Sequence, residues 1–250
     1  MSAAYDTFDY PNYWVGREYE HKAEVIAISG FLSKIKKIGK ILDIGVGFGR
    51  LTPTYIFRGK NIILTDPSAK LLAIAKKEFN RKNVKFIRSP IEKLPSKIRK
   101  NSVDLILIVR VLHHIKDLDK SIRIIHNLLK PNGYLIIEFP NKIHLKAAIT
   151  ELLRGNLTFF LDIYPKDVRS SKSKKEKTLP FFNYHPDIIR QKLRDSGFTI
   201  IEQRSVSNIR SNFIKKLLTI ETLLFLENQL QKPFSRINFG PSIFILAKKT

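Results

Sequence analysis

Five short runs rich in branched aliphatic residues recur along the chain: KILDI from residue 40, NIILT from 61, VKFIR from 84, DLILIV from 104 and YLIIEF from 134. Longer segments with helical periodicity separate them, and that alternation predicts a parallel sheet wrapped by helices, an α/β fold. Between the fourth and fifth runs Leu118, Ile122, Ile125 and Leu129 fall at helical spacing, and Lys130-Pro131-Asn132-Gly133 closes that helix with a proline and a turn. Ahead of the first run, Tyr19, Ala23, Ile26 and Phe31 predict an amphipathic helix packed across the sheet.

After residue 141 the alternation pauses. Residues 142–185 read as an insertion or lid that includes the Lys/Arg/Ser-rich stretch from Pro165 to Lys177, and its lysines 172, 174, 175 and 177 read as a solvated loop. The pattern resumes with HPDIIRQKLRDSGFTIIEQ. Phe213 to Leu230 then reads as a lid or packing helix, and Ser242 to Ala247 as a last strand. No internal repeat is visible, so the expectation is one elaborated domain: lead and helix over 1–39, a binding core over 40–141, the insertion over 142–185 and the remaining half of the sheet with a helical cap over 186–250.

Composition removes several classes of function. The 250 residues contain no cysteine, which excludes disulfides, thiolate metal sites and Cys nucleophiles, and the six histidines lack ligand spacing, so no metal site is expected. The opening MSAAYDTFDY lacks a basic and apolar leader, and Leu217 to Leu226 carries Glu221 and falls short of the roughly 20 residues a spanning helix needs. The expectation is a cytoplasmic protein without a transmembrane segment.

The most specific local feature is Ile41-Leu42-Asp43-Ile44-Gly45-Val46-Gly47-Phe48-Gly49-Arg50, a strand that breaks into a loop with glycine at alternate positions. Such a loop lets backbone N–H groups approach a ligand closely. A dinucleotide loop needs its third glycine at position 50, where this chain has Arg50, so the spacing argues against a nicotinamide dinucleotide. Asp43 sits inside the strand, where its carboxylate needs a cationic ligand group or a ring of N–H donors. Asp66 ends the second strand at the spacing where an acid accepts both ribose hydroxyls, although Asp-Pro-Ser also opens a helix well and the two roles can coexist. Together these suit a nucleoside bearing an amino-acid tail.

The stretches LDIGVGFGR, LTDPSAKLL, VKFIRSPIEKLP, VDLILIVRVLHHIKD and LLKPNGYLIIEFPN resemble, in order and spacing, the class I S-adenosylmethionine-dependent methyltransferases, in particular the small single-domain group. The resemblance spans roughly residues 10 to 205. It implies a doubly wound, Rossmann-like, seven-stranded sheet and S-adenosyl-L-methionine as cofactor. It further implies that Gly45, Gly47 and Gly49 line the methionine and ribose, that Asp66 holds the ribose hydroxyls with Asp43 behind the loop, and that Pro67 and Ile91 pack on the adenine. Val109 and Arg110 would leave the fourth strand beside the methyl group. The chain has Pro90 where the family often has an aspartate for the adenine amino group. Tyr13 and Arg17 lie in a segment resembling the aromatic lead that folds over the cofactor, with Arg17 placed to meet the methionine carboxylate.

Methyl transfer from a sulfonium is an in-line displacement and requires no protein nucleophile. Where the acceptor must lose a proton, His113 or His114 would take it; packing or helix capping is the other reading of each. Arg110 is a candidate grip for an anionic group on the acceptor. The net charge of +23 draws polyanions, so RNA and an anionic membrane surface stand as partners beside a small-molecule or lipid-like acceptor. Three functions follow: a methyltransferase for a small or lipid-like acceptor, a methyltransferase for tRNA or rRNA, and a non-catalytic nucleic-acid-binding protein on the same fold.

Overall fold

The computed structural model describes residues 6, 9–176 and 178–250; Lys177 of the basic stretch lies outside them. A helical turn α1 (Tyr10–Tyr13) and helix α2 (Glu18–Leu32) precede β1 (Ile38–Ile44), α3 (Thr52–Tyr55), β2 (Gly59–Asp66), α4 (Ala69–Phe79), β3 (Val84–Arg88), β4 (Val103–Ile108), α5 (Leu118–Leu128) and β5 (Leu129–Pro140). Then come α6 (Leu145–Leu153), β6 (Lys166–Asp167), α7 (Ser171–Lys175), β7 (Phe182–Asn183), α8 (Pro186–Asp195), β8 (Phe198–Val206), α9 (Asn212–Leu217), α10 (Ile220–Ser235) and β9 (Ser242–Lys249).

The main sheet has the order β3-β2-β1-β4-β5-β9-β8, and β9 is its one antiparallel strand, paired on both sides. This is the doubly wound α/β sheet expected. Strands covered on both faces bury alternate residues in opposite layers. Ile41, Leu105 and Leu107 enter the layer under α2, α3 and α4, whereas Leu42, Ile106 and Ile108 enter the layer under α5 and α8. Order reverses between β1 and β4, and the crevice outside their carboxyl ends is where such sheets bind ligands.

Helix α2 buries Tyr19, Ala23, Ala27 and Phe31, a strict four-residue stripe, with Glu24, Ile28 and Leu32 beside it. Ile26 falls off that face and is only half-buried. The single helix expected over 213–230 is two. Leu218 turns to an extended conformation, Thr219 caps α10 by accepting from Thr222 N–H at 3.3 Å, and α10 packs against α2 and β8, whereas α9 reaches α2 through Lys215, which donates to Glu20 at 2.5 Å. Its buried Glu227 accepts from the Tyr19 hydroxyl at 2.5 Å and from Ser207 N–H at 2.8 Å, tying α2, α10 and the end of β8 together.

The 142–185 segment forms α6, the small β6–β7 pair and the exposed α7. Its anchor is Lys142, whose buried ammonium donates to the carbonyls of Asp162 at 2.7 Å and Tyr164 at 2.8 Å and pairs with the Asp162 carboxylate at 2.6 Å.

Candidate active site

The glycine loop opens where β1 ends. Gly45 and Val46 both donate their N–H to the carbonyl of Thr65, at 2.8 and 2.9 Å, so β2 fixes the start of the turn. Gly45 has φ +77°, and a Cβ there would stand 2.2 Å from a methyl of Val111. That position combines a left-handed backbone with no room, and only glycine meets both demands. Gly49 answers to a different neighbour: a Cβ on it would meet the Phe79 ring of α4 at 2.4 Å, so it packs the loop against a helix.

A cavity of about 410 Å³ lies over the β1/β4 crevice, within the usual size range for a small-molecule site. Of the residues singled out in the sequence, Asp43, Gly45, Gly47, Asp66, Pro67, Ile91, Val109, Arg110 and His114 line it. Gly49, Tyr13, Arg17 and His113 are outside its wall.

Asp66 is buried at the cavity edge and accepts Gly47 N–H at 2.9 Å on one oxygen and Ser68 N–H at 2.7 Å on the other. Each oxygen keeps acceptor capacity for a further hydroxyl. Burial raises its pKa, while the two N–H donors pull it back. The cap of α4 is Ser68 rather than Asp66, through a bond from Leu71 N–H at 3.2 Å. Asp43 is met by the Tyr55 hydroxyl, a partner eleven residues downstream of the strand that no local pattern reveals. Burial pushes the Asp43 carboxyl up to about 7.

The floor of the cavity carries a buried ionic cluster that the sequence did not expose. Glu24 of α2 accepts from Arg50 and, at 2.6–2.7 Å, from Arg110. Burial opposes its charge, yet the two arginines outweigh that and hold its pKa below the ordinary range. Arg50 also donates to His21 Nδ1 at 2.6 Å, and its guanidinium lies 3.4 Å from the centre of the Trp14 ring. Arg110 has φ +60°, and its backbone N–H donates to the buried Glu138 at 2.7 Å. The Arg110 guanidinium, expected to face an acceptor anion, lines the cavity but is already engaged by Glu24. Arg17 is displaced from the expected carboxylate site, since it stacks on the exposed Tyr13 ring at 4.2 Å. Tyr10 and Arg50 line the cavity where Tyr13 and Arg17 were expected.

The two histidines separate. His114 lines the cavity and, at 2.7 Å, shares a hydrogen bond with the carbonyl of Pro180, in which its Nδ1 must be the donor. Burial lowers its pKa, against the pull of that carbonyl, so the ring is neutral near pH 7. His113 is buried against Phe181, ring centres 4.3 Å apart, and burial lowers its pKa further. Its ring packs there, outside the cavity wall.

Comparison with known proteins agrees with this geometry. Residues 42–137 match the family described as Methyltransferase domain. The chain is 26% identical over 229 residues to the ubiquinone/menaquinone biosynthesis C-methyltransferase UbiE of Pseudoalteromonas translucida, covering 86% of this chain and 84% of that one. It is 27% identical over 218 residues to the tRNA 5-carboxymethoxyuridine methyltransferase of Escherichia coli, covering 84% and 80%. In fold it is similar to a putative S-adenosylmethionine-dependent methyltransferase from Listeria monocytogenes, with TM-score 0.62, 18% identity and coverage of 92% and 98%. It is also similar to the 1,6-didemethyltoxoflavin-N1-methyltransferase of Burkholderia thailandensis, solved with S-adenosylhomocysteine, with TM-score 0.59, 16% identity and coverage of 94% and 81%.

The fold is of the class I methyltransferase type, and residues 42–137 match a methyltransferase domain. The protein is an enzyme that depends on S-adenosyl-L-methionine. The donor set suits that cofactor: a buried carboxylate with spare acceptor capacity stands beside a glycine turn, and Pro67, Pro90 and Ile91 form an apolar wall.

Proposed function

We propose that the enzyme methylates a small, largely apolar or lipid-like acceptor. The observation that carries this reading is the wall of the cavity beyond the glycine loop, built from Leu107, Val109, Val111, Ile115 and Leu179, beside an arginine whose charge Glu24 already engages. A polyanionic acceptor would be expected to meet basic side chains free to bind phosphate there.

In this reading Asp66 accepts the ribose hydroxyls, the turn at Gly45 and Gly47 leaves room for the amino-acid tail, and Pro67 and Ile91 pack on the base. Asp43, close behind the loop, favours the cationic cofactor once ionised. S-adenosyl-L-methionine supplies a methyl group on a positively charged sulfur. The protein aligns the acceptor and excludes water, and it leaves that charge unquenched by keeping Glu24 occupied by arginines. Where the acceptor loses a proton, neutral His114 receives it.

The test is transfer of a labelled methyl group into a cell extract, with products divided by nuclease digestion and solvent extraction. Solvent-extractable label is expected; nuclease-sensitive label would overturn the reading in favour of an RNA acceptor, the substrate class named for the Escherichia coli relative.

A further inference from the structure

Helix α6 inverts the usual rule for an amphipathic helix. Leu145, Ile149, Leu152 and Leu153 fall on one face, and all four are exposed, Leu153 at 84%. Ala148 is the one residue the helix buries. Helix α9 buries none, and its Phe213 and Leu217 are 74% and 71% exposed. An apolar stripe at helical spacing normally turns toward a core. Contiguous exposure on this scale marks a docking surface.

Both helices stand on the edge of the sheet that carries the cavity. Pro140, at the end of β5, pairs with Ser242, which pairs with Val206 at the end of β8, so the segments leaving those strands emerge side by side. Leu145 N–H donates to Phe239 carbonyl at 2.9 Å, binding α6 to the chain that enters β9. The same 142–185 segment supplies Leu179 to the cavity wall.

The segments that carry the apolar face are also basic. Residues 142–185 contain nine Lys/Arg against four Asp/Glu, and 207–219 contain three Lys/Arg with no acid. Lys172, Lys174 and Lys175 of α7 and Lys216 of α9 are exposed. Among the described residues no helix is long and apolar enough to cross a membrane.

We propose that α6 and α9 form a surface that docks the enzyme on an anionic lipid bilayer, with the cavity on the membrane-facing edge. Leucines, isoleucine and phenylalanine enter the boundary between headgroups and acyl chains, and the lysines of the same segments meet lipid phosphates. RNA is the weaker match, because contacts to a phosphate backbone come from basic and polar side chains and gain nothing from four exposed aliphatics on one helix. Docking is independent of which acceptor is methylated, since it is measured without transfer.

The experiment is co-sedimentation of the full chain with phosphatidylcholine vesicles, with and without phosphatidylglycerol. Wild type is expected to sediment with the anionic vesicles only. Leu153→Glu combined with Phe213→Glu is expected to lower partitioning by about tenfold or more, because charges replace two inserted side chains. Phe57→Glu, at a 76% exposed residue near the start of β2 on the opposite edge, is expected to leave partitioning unchanged. Circular dichroism melting curves confirm that the variants are folded. Failure of wild type to bind, or equal binding by the double variant, overturns the proposal. Light scattering that shows a dimer lost in the double variant also overturns it, and assigns the face to a second copy. Binding of RNA in place of vesicles, lost in the same variant, overturns it in favour of a nucleic acid.

Discussion

The crevice and the neighbouring α6–α9 face stand on one edge of one sheet yet treat side chains in opposite ways. Around β1 and β4 apolar residues are buried almost completely, and the charges beneath the cavity are held in pairs: Glu24 with two arginines, Glu138 with the Arg110 backbone and Ser242. On α6 and α9 the largest apolar residues face water. The crevice is therefore intolerant of change for reasons of folding, whereas the exposed face can be altered without unfolding the protein. Burial sets sensitivity, and exposed apolar residues are free to serve an external partner.

Substitutions on the two sides sharpen that contrast. Glu24→Gln leaves Arg50 and Arg110 without their shared counter-charge, and the expected loss is about 3 kcal/mol of stability, read by urea denaturation. A loss below about 1 kcal/mol would show that the arginines relax into water. Gly45→Ala is expected to cost about 2–3 kcal/mol, from the positive φ and the overlap with Val111, in the same measurement. Its cofactor affinity should fall too, by equilibrium dialysis, because the loop must shift.

Asp43 gives a smaller effect with a definite sign. Its folded pKa is about 7, against about 4 in an unfolded chain. Between those values the folded state holds a proton that the unfolded state has released, so this group's contribution to stability falls as pH rises from about 4 to 7. Asp43→Asn should flatten the stability–pH profile of the cofactor-free enzyme over that window. The wild-type carboxyl ionises through neutrality, so cationic cofactor should bind more tightly as pH rises past 7, and the variant should lose that dependence. An unchanged slope would mean that Asp43 does not titrate there. At the bottom of the scale, Leu153→Ser should change stability by no more than about 0.5 kcal/mol, as befits an exposed position. A larger loss would show that α6 packs more tightly in solution than its exposure implies.

Much of the crevice was legible because its signals are local. A strand followed by alternating glycines, an acid at the end of the next strand and an apolar residue after the third all sit within a few residues of a strand end, so Asp43, Gly45, Gly47, Asp66, Pro67, Ile91 and Val109 meet at the cavity. The lead segment was less legible. Tyr10 and Tyr13 are neighbours on one helical turn, and only the way that turn lies on the loop decides that Tyr10 reaches the cavity and Tyr13 faces outward. Arg110 shows the same limit. Its place after β4 follows from sequence, but its partner is 86 residues earlier, on a helix whose stripe gave no reason to single out Glu24.

The alternation of strands and helices, the glycine turn and the acids around it are written in the chain's local pattern, because strand burial, turn geometry and capping act over a few residues. Which arginines lie beneath the cavity, which histidine reaches it, what compensates Asp43 and Glu24, and that α6 and α9 turn their apolar faces to water were set by the folded arrangement. Those outcomes depend on contacts between segments far apart in the chain, and on whether any other part of the fold arrives to cover a face that its own pattern would have buried.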